Sequence, residues 1–132
     1  MKTTSVRARM SALWIVVLFN MVFADILSFI TPGTLQEFMT GRAGSVQITE
    51  GLLLVFAVLL EIPIAMVFLS GVLEHRANRI ANIAACAVTT VFTIGGGTAN
   101  LHYVFFATAE VAAMALIVRL AWKRSDAYVE RA

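Results

Sequence analysis

Three carboxylates lie inside long apolar runs of the chain: Asp25, Glu61 and Glu110. None of the ten Lys and Arg residues lies deep enough in these runs to neutralise them. An unpaired charge is costly in an apolar setting, so such acids are expected to be protonated, hydrogen-bonded or paired with a cation. The chemistry that they indicate is proton exchange, cation binding or general acid–base catalysis inside a membrane.

Four helices are expected to position these acids. Each apolar run is close to the length of about 20 residues that a membrane-spanning helix requires. The runs cover residues 12–31, 51–73, 80–97 and 101–122. With 60% hydrophobic and 14% charged residues, the chain has too little polar surface for a soluble domain. We predict an all-α fold in which residues 1–132 form a single domain, an integral membrane four-helix bundle with antiparallel up-down spans.

The first run has a second interpretation, a cleavable signal peptide. A basic segment precedes it, and Val22-Phe23-Ala24 resembles a small-residue cleavage site. Apolar sequence nevertheless continues through Ile30, which favours a retained span.

The three acids are expected at similar depths. Counting about 1.5 Å per residue from the outer helix ends places Asp25 roughly 9 Å, Glu110 roughly 12 Å and Glu61 roughly 15 Å deep. On neighbouring helices they would converge on one chamber in the outer half of the membrane. Pro63 removes a backbone hydrogen bond in the same helical turn as Glu61, a feature that binding sites of transporters share; the alternative is a proline that only kinks the helix.

The third span has no acid but carries a polar stripe. Its members follow the spacing of one helix face: Asn82, Cys86, Thr89 and Thr93. We expect this face to point into the bundle, where the two threonines would donate hydrogen bonds to the carboxylates or act only as contacts between helices. The predicted ligand-, proton- or cation-binding residues are therefore Asp25, Glu61, Glu110, Thr89 and Thr93. No catalytic residue is assigned.

The basic residues predict the orientation of the spans. Nine of the ten Lys and Arg lie in the N-terminal tail, in the link between the second and third spans, or at the C-terminal end. Arg42 alone lies in the first loop. Because cytoplasmic segments of membrane proteins carry an excess of Lys and Arg, both termini are predicted to be cytoplasmic.

The first loop contains its own helix signal. Thr34-Leu35-Gln36-Glu37 matches a capping box, which would start a short helix that ends at Gly41. This helix would lie in the outer membrane interface as a cap over the bundle. The alternative is a solvated turn.

No cofactor or metal site is predicted. Cys86 is the only cysteine, so an internal disulfide is excluded. His75 and His102 fall at opposite ends of their spans and therefore cannot share a haem or a metal within one chain. The basic residues are divided between the termini and one short loop, a distribution that fits membrane topology rather than nucleic-acid binding.

Several strings are distributed over nearly the whole chain: Phe23-Ala24-Asp25-Ile26, Leu59-Leu60-Glu61-Ile62-Pro63-Ile64-Ala65-Met66, Gly95-Gly96-Gly97 and His102-Tyr103-Val104-Phe105-Phe106. They resemble those of an uncharacterised family of small bacterial four-helix membrane proteins. The resemblance implies the fold and a bacterial inner-membrane location. It implies no activity.

Three functions fit the acidic centre. The first is a protein that binds or transports a proton, a cation, or a cationic or amphiphilic small molecule. The second is a lipid-modifying or isomerase-type membrane enzyme that uses a carboxylate as acid or base. The third is a non-catalytic accessory subunit whose acids meet basic residues of a membrane complex. The expected partners are membrane lipid, such a ligand and a second copy of the chain, and not nucleic acid.

Overall fold

Four long helices and one short helix form the described part of the chain. The computed structural model describes the backbone of residues 2–129 and the side chains of residues 6–123. The helices are α1 (Lys2–Ile30), α2 (Thr34–Met39), α3 (Glu50–Val72), α4 (His75–Gly95) and α5 (Leu101–Val129). Between α2 and α3, strands β1 (Arg42–Ala43) and β2 (Val46–Gln47) pair as a small antiparallel hairpin. The predicted all-α four-helix bundle is confirmed.

The long helices form a ring in which each helix packs against two others. α1 packs against α3 and α5, and α4 packs against the same two helices. Short connections, residues 73–74 after α3 and 96–100 after α4, make consecutive helices antiparallel. α1 and α4 therefore face each other across the bundle, as α3 and α5 do.

Four helical segments are long and apolar enough to cross a membrane: Val6–Ile30, Glu50–Val72, His75–Gly95 and Leu101–Lys123. The helix of the third predicted span, α4, begins at His75 rather than near residue 80, and α1 begins before residue 12. The earlier start of α4 has a physical reason. Asn78, a polar residue that a search for apolar runs excludes, is 1% exposed and lies inside the bundle.

Large apolar side chains cover the outside of the bundle. Phe19, Phe68, Val91 and Phe105, one from each long helix, are all more than half exposed. The interior is built mainly from residues of α1, α4 and α5: Trp14, Val17, Met21, Met66, Ala85, Cys86, Ala113, Met114 and Ile117. Lipid tails are as apolar as these side chains, so close packing and hydrogen bonds between helices must hold the bundle together.

A buried polar network joins three helices near the cytoplasmic end predicted above. Trp14 Nε1 on α1 donates to Asn82 Oδ1 on α4 at 2.8 Å. Ser70 Oγ on α3 donates to the same oxygen at 3.0 Å, and Asn78 Nδ2 donates to the Ser70 carbonyl at 2.8 Å. The Trp14 side chain is buried, and its indole N–H has its partner in the interior of the bundle.

The segment after α1 forms the predicted short helix without the predicted cap. Gly33, with a φ of 91°, precedes α2, and no side chain caps the helix. The Glu37 carboxylate points forward instead and accepts a hydrogen bond from the Gly44 N–H. This hydrogen bond connects α2 to the turn of the hairpin. Phe38 packs edge-on against Phe29 of α1, with ring centroids 5.8 Å apart.

Candidate intramembrane acidic site

Among the acidic side chains that the structure describes, Glu110 is the one that the fold buries. The inner face of α5 consists of buried residues at helical spacing: Glu110, Ala113, Met114, Ile117 and Ala121. The Glu110 side chain is 2% exposed, and its Oε2 accepts a hydrogen bond from Thr93 Oγ1 of α4 at 2.9 Å. No Lys, Arg or His among the described side chains forms an ion pair with it. The partner of this carboxyl is therefore a neutral hydroxyl.

Thr93 connects the acid to the end of α4. Its carbonyl belongs to the last turn of the helix, where carbonyls lack a partner within the helix. The Tyr103 hydroxyl of α5 donates to this carbonyl at 2.8 Å. Thr93 thus contacts α5 twice, through its backbone and through its side chain, and it fixes α4 beside Glu110.

Thr89 lies one turn from Thr93 on the same buried face. The polar stripe that includes Asn82, Cys86, Thr89 and Thr93 faces the interior, as predicted. The Thr89 hydroxyl is nevertheless buried without a hydrogen-bond partner among the residues described. A buried polar atom without a partner costs free energy, so this position has a free hydrogen-bonding capacity inside the bundle.

Asp25 lies on α1 near the same end of the bundle. Its side chain is exposed at the surface of the bundle. One helical turn further along α1, Ser28 Oγ lies 3.3 Å from His102 Nε2 of α5. Polar groups of α1, α4 and α5 therefore gather at the end of the bundle where α1 and α4 end and α5 begins.

Glu61 is not part of this cluster. The buried residues of α3 are Pro63, Met66 and Ser70, which define the face that packs into the bundle. Glu61 precedes Pro63 by two residues, so it points away from that face, and its side chain is exposed. α3 also lies diagonally opposite α5 in the ring. The expected chamber of three converging acids is wrong for Glu61, although its role as a binding residue stays a prediction.

A groove lies near the acid, between the C-terminal half of α4 and the N-terminal half of α5. It has a volume of about 430 Å³. Its lining includes Thr93, Ile94, Tyr103, Val104, Ala107 and Val111. Thr93 and Tyr103 are thus shared between this α4–α5 groove and the surroundings of Glu110. The groove is mostly apolar, with threonine and tyrosine hydroxyls as its polar groups.

Tyr103 is a site residue that the sequence interpretation missed. The signal was present in the spacing, because Tyr103 and Glu110 are seven residues apart and so lie on one face of a helix. Gly97 allows the tyrosine ring to come close, since a Cβ at residue 97 would lie 2.8 Å from Tyr103 Cε1.

Within the described residues, no group of three or more His, Cys, Asp or Glu could hold a metal ion.

Four apolar helices around a buried glutamate define a multi-pass membrane protein. Residues 3–128 match a family of unknown function, DUF6326, and the chain belongs to that family. No curated protein and no solved structure matches the chain.

Proposed function

We propose that the protein binds lipophilic cations within the membrane, with Glu110 as the counter-ion, and that a proton occupies Glu110 when the site is empty. The observation that carries this proposal is the burial of the carboxyl beside a neutral hydroxyl. An ionised carboxylate without a positive partner is costly in such a place, whereas a protonated carboxyl or one beside a cation is stable. Proton and cation would therefore compete for one group.

The α4–α5 groove supports a ligand with an apolar body. Its volume of about 430 Å³ falls in the usual range of small-molecule sites, roughly 300–1,000 Å³. Thr93 lines the groove and also donates to Glu110, so it separates the groove from the acid. A cation whose apolar part lies in the groove would replace the Thr93 hydroxyl as the partner of Glu110.

The test compares Glu110→Gln with Glu61→Gln, which makes the same change on an exposed face. Tetraphenylphosphonium, a lipophilic cation without a titratable group, is titrated into the purified full chain in detergent between about pH 5 and pH 9, where a buried carboxyl titrates. For the wild type, the affinity should rise with pH, because deprotonation frees the carboxylate. Glu110→Gln should weaken binding by about tenfold or more and remove the pH dependence, since a lost charge–charge contact exceeds ~1.4 kcal/mol.

Glu61→Gln serves as the control and should bind the probe as the wild type does. The thermal transition of each variant shows that it is folded. Wild-type affinity in the Glu110→Gln variant, or a loss shared equally by both variants, would refute the assignment of Glu110 as the counter-ion.

A second candidate function, an accessory subunit, is favoured by Glu61. This acid is exposed on a membrane helix, where contact with lipid is costly. None of the Lys and Arg residues lies deep in any of the four apolar runs, so we infer that a basic side chain at that depth would come from a different membrane protein. Cation titrations that are identical for wild type and both variants would favour this function over the first.

We also propose that the protein lies in the bacterial inner membrane with both termini in the cytoplasm. The support is the concentration of Lys and Arg at the chain ends and in the link between α3 and α4.

A further inference from the structure

A second groove runs between α1 and α5 at the opposite end of the bundle from Tyr103. It has a volume of about 500 Å³. Arg9, Arg119 and Lys123 contribute its charged groups, and Ala12, Val16 and Leu116 contribute to its apolar lining. We call it the α1–α5 groove. It shares no lining residue with the α4–α5 groove.

The charge of the α1–α5 groove is positive and not neutralised by the residues described. Arg9, Arg119 and Lys123 have exposed side chains, and none forms an ion pair with a described carboxylate. On α5, Glu110 lies roughly 14 Å further along the helix axis than Arg119. Three cations around one groove repel each other, so an anion bound between them would be stabilised.

Charge and apolar surface are separated along the groove. Because α1 and α5 are antiparallel, Arg9 and Lys123 lie at the same end of the groove, near the membrane boundary. Val16 and Leu116 are each seven residues further into the membrane, which corresponds to roughly 10 Å along a helix. The small side chain of Ala12 leaves the space between these levels open. The groove therefore has a basic end near the membrane boundary and, deeper in the bundle, an apolar floor that includes Ala12, Val16 and Leu116.

We propose that the α1–α5 groove binds an anionic phospholipid, with its phosphate at Arg9, Arg119 and Lys123 and an acyl chain against Ala12, Val16 and Leu116. Basic pockets between membrane helices bind anionic headgroups through the same combination of charge and shape. A soluble anion would satisfy the charges but would leave the apolar floor unused. The site is independent of Glu110.

The experiment measures lipid retention by native mass spectrometry of the purified full chain. Phosphatidylglycerol, which is anionic, and phosphatidylcholine, which is zwitterionic, are compared with identical acyl chains, so that the two lipids differ only in the headgroup. Phosphatidylglycerol should bind about tenfold more tightly. Arg119→Gln should weaken its binding by about fivefold, as the loss of one basic side chain near an anionic lipid predicts. The triple variant Arg9→Gln, Arg119→Gln, Lys123→Gln should bind both lipids equally.

Two controls separate a lipid site from general electrostatic attraction. Arg76→Gln removes one exposed charge at the same end of the bundle but outside the groove, and it should leave phosphatidylglycerol binding unchanged. Ala12→Phe keeps all charges, fills the floor, and should weaken binding of phosphatidylglycerol by about tenfold, comparable to burying several fewer CH₂ groups. Equal losses in Arg76→Gln and Arg119→Gln would overturn the proposal. So would full binding in Ala12→Phe, or displacement of the lipid by excess inorganic phosphate.

Discussion

Thr89 and Thr93 lie one helical turn apart on the buried face of α4, but they differ in their hydrogen bonds. The Thr93 hydroxyl donates to Glu110, whereas Thr89 Oγ1 has no partner among the side chains described. Thr93→Val should lower the free energy of unfolding in detergent by about 1–3 kcal/mol, because Glu110 loses its donor. The isosteric Thr89→Val should be neutral or stabilising, since it removes an unsatisfied polar atom. Chemical unfolding of both variants checks this, and equal losses would contradict it.

For individual residues, the sequence predicts whether a side chain points into the bundle only where polar residues form a pattern. The stripe on α4 stands out against apolar neighbours, so its inward direction was predicted correctly. α3 is apolar on nearly every face, and no periodicity indicates which way Glu61 points. The same limit applies to Trp14, because its indole suits both a membrane boundary and a core with a hydrogen-bond acceptor.

The hairpin of α4 and α5 depends on a close approach at Gly97. A Cβ there would lie 2.8 Å from Tyr103 Cε1, whereas a Cβ at Gly95 would meet nothing within 4 Å. Gly97→Ala should displace the Tyr103 ring, weaken its bond to the Thr93 carbonyl, and destabilise the protein by about 1–3 kcal/mol. Gly95→Ala is the matched control, which should be neutral or stabilising because alanine favours helix.

Unfolding titrations of the two glycine variants provide the measurement. The Tyr103→Phe background adds a second criterion, because part of the Gly97→Ala effect should disappear when the tyrosine hydroxyl has already been removed. A Gly97→Ala variant as stable as Gly95→Ala would show that Tyr103 does not require the glycine.

The elements themselves were predictable because long apolar runs dictate membrane helices. The ends of the helices were less predictable. α4 begins at His75 and includes Asn78, and these polar residues are accommodated only at a helix end or in the folded interior. The short helix α2 was also predicted, but its cap was not. A capping box would bond the Glu37 side chain to a backbone N–H at the start of the helix, but this side chain bonds instead to the N–H of Gly44, which forms a tight turn with a φ of 62°.

At the scale of the whole molecule, the buried polar groups of residues 6–123 form two layers with different properties. In the layer of Trp14, Ser70, Asn78 and Asn82, the side chains bond to each other, so this layer is suited to holding three helices in register. The other layer contains Glu110 and the Thr89 hydroxyl, which has no hydrogen-bond partner in the part of the chain that the structure describes. A layer that is incompletely bonded within the chain can accept a proton or a ligand, which is why the functional proposal is centred there.

The orientation of these layers depends on the topology, which labelling of single cysteines can determine. Cys86 is buried and is replaced by alanine, and cysteine is then introduced at the exposed residues Ser45, Thr98 or Arg76. If both termini are cytoplasmic, a membrane-impermeant maleimide should label Ser45→Cys and Thr98→Cys in intact cells, and Arg76→Cys only after lysis. The opposite result would reverse the topology. It would also place Glu110 in the cytoplasmic half and the α1–α5 groove in the outer leaflet, so the same experiment decides from which side cation and lipid arrive.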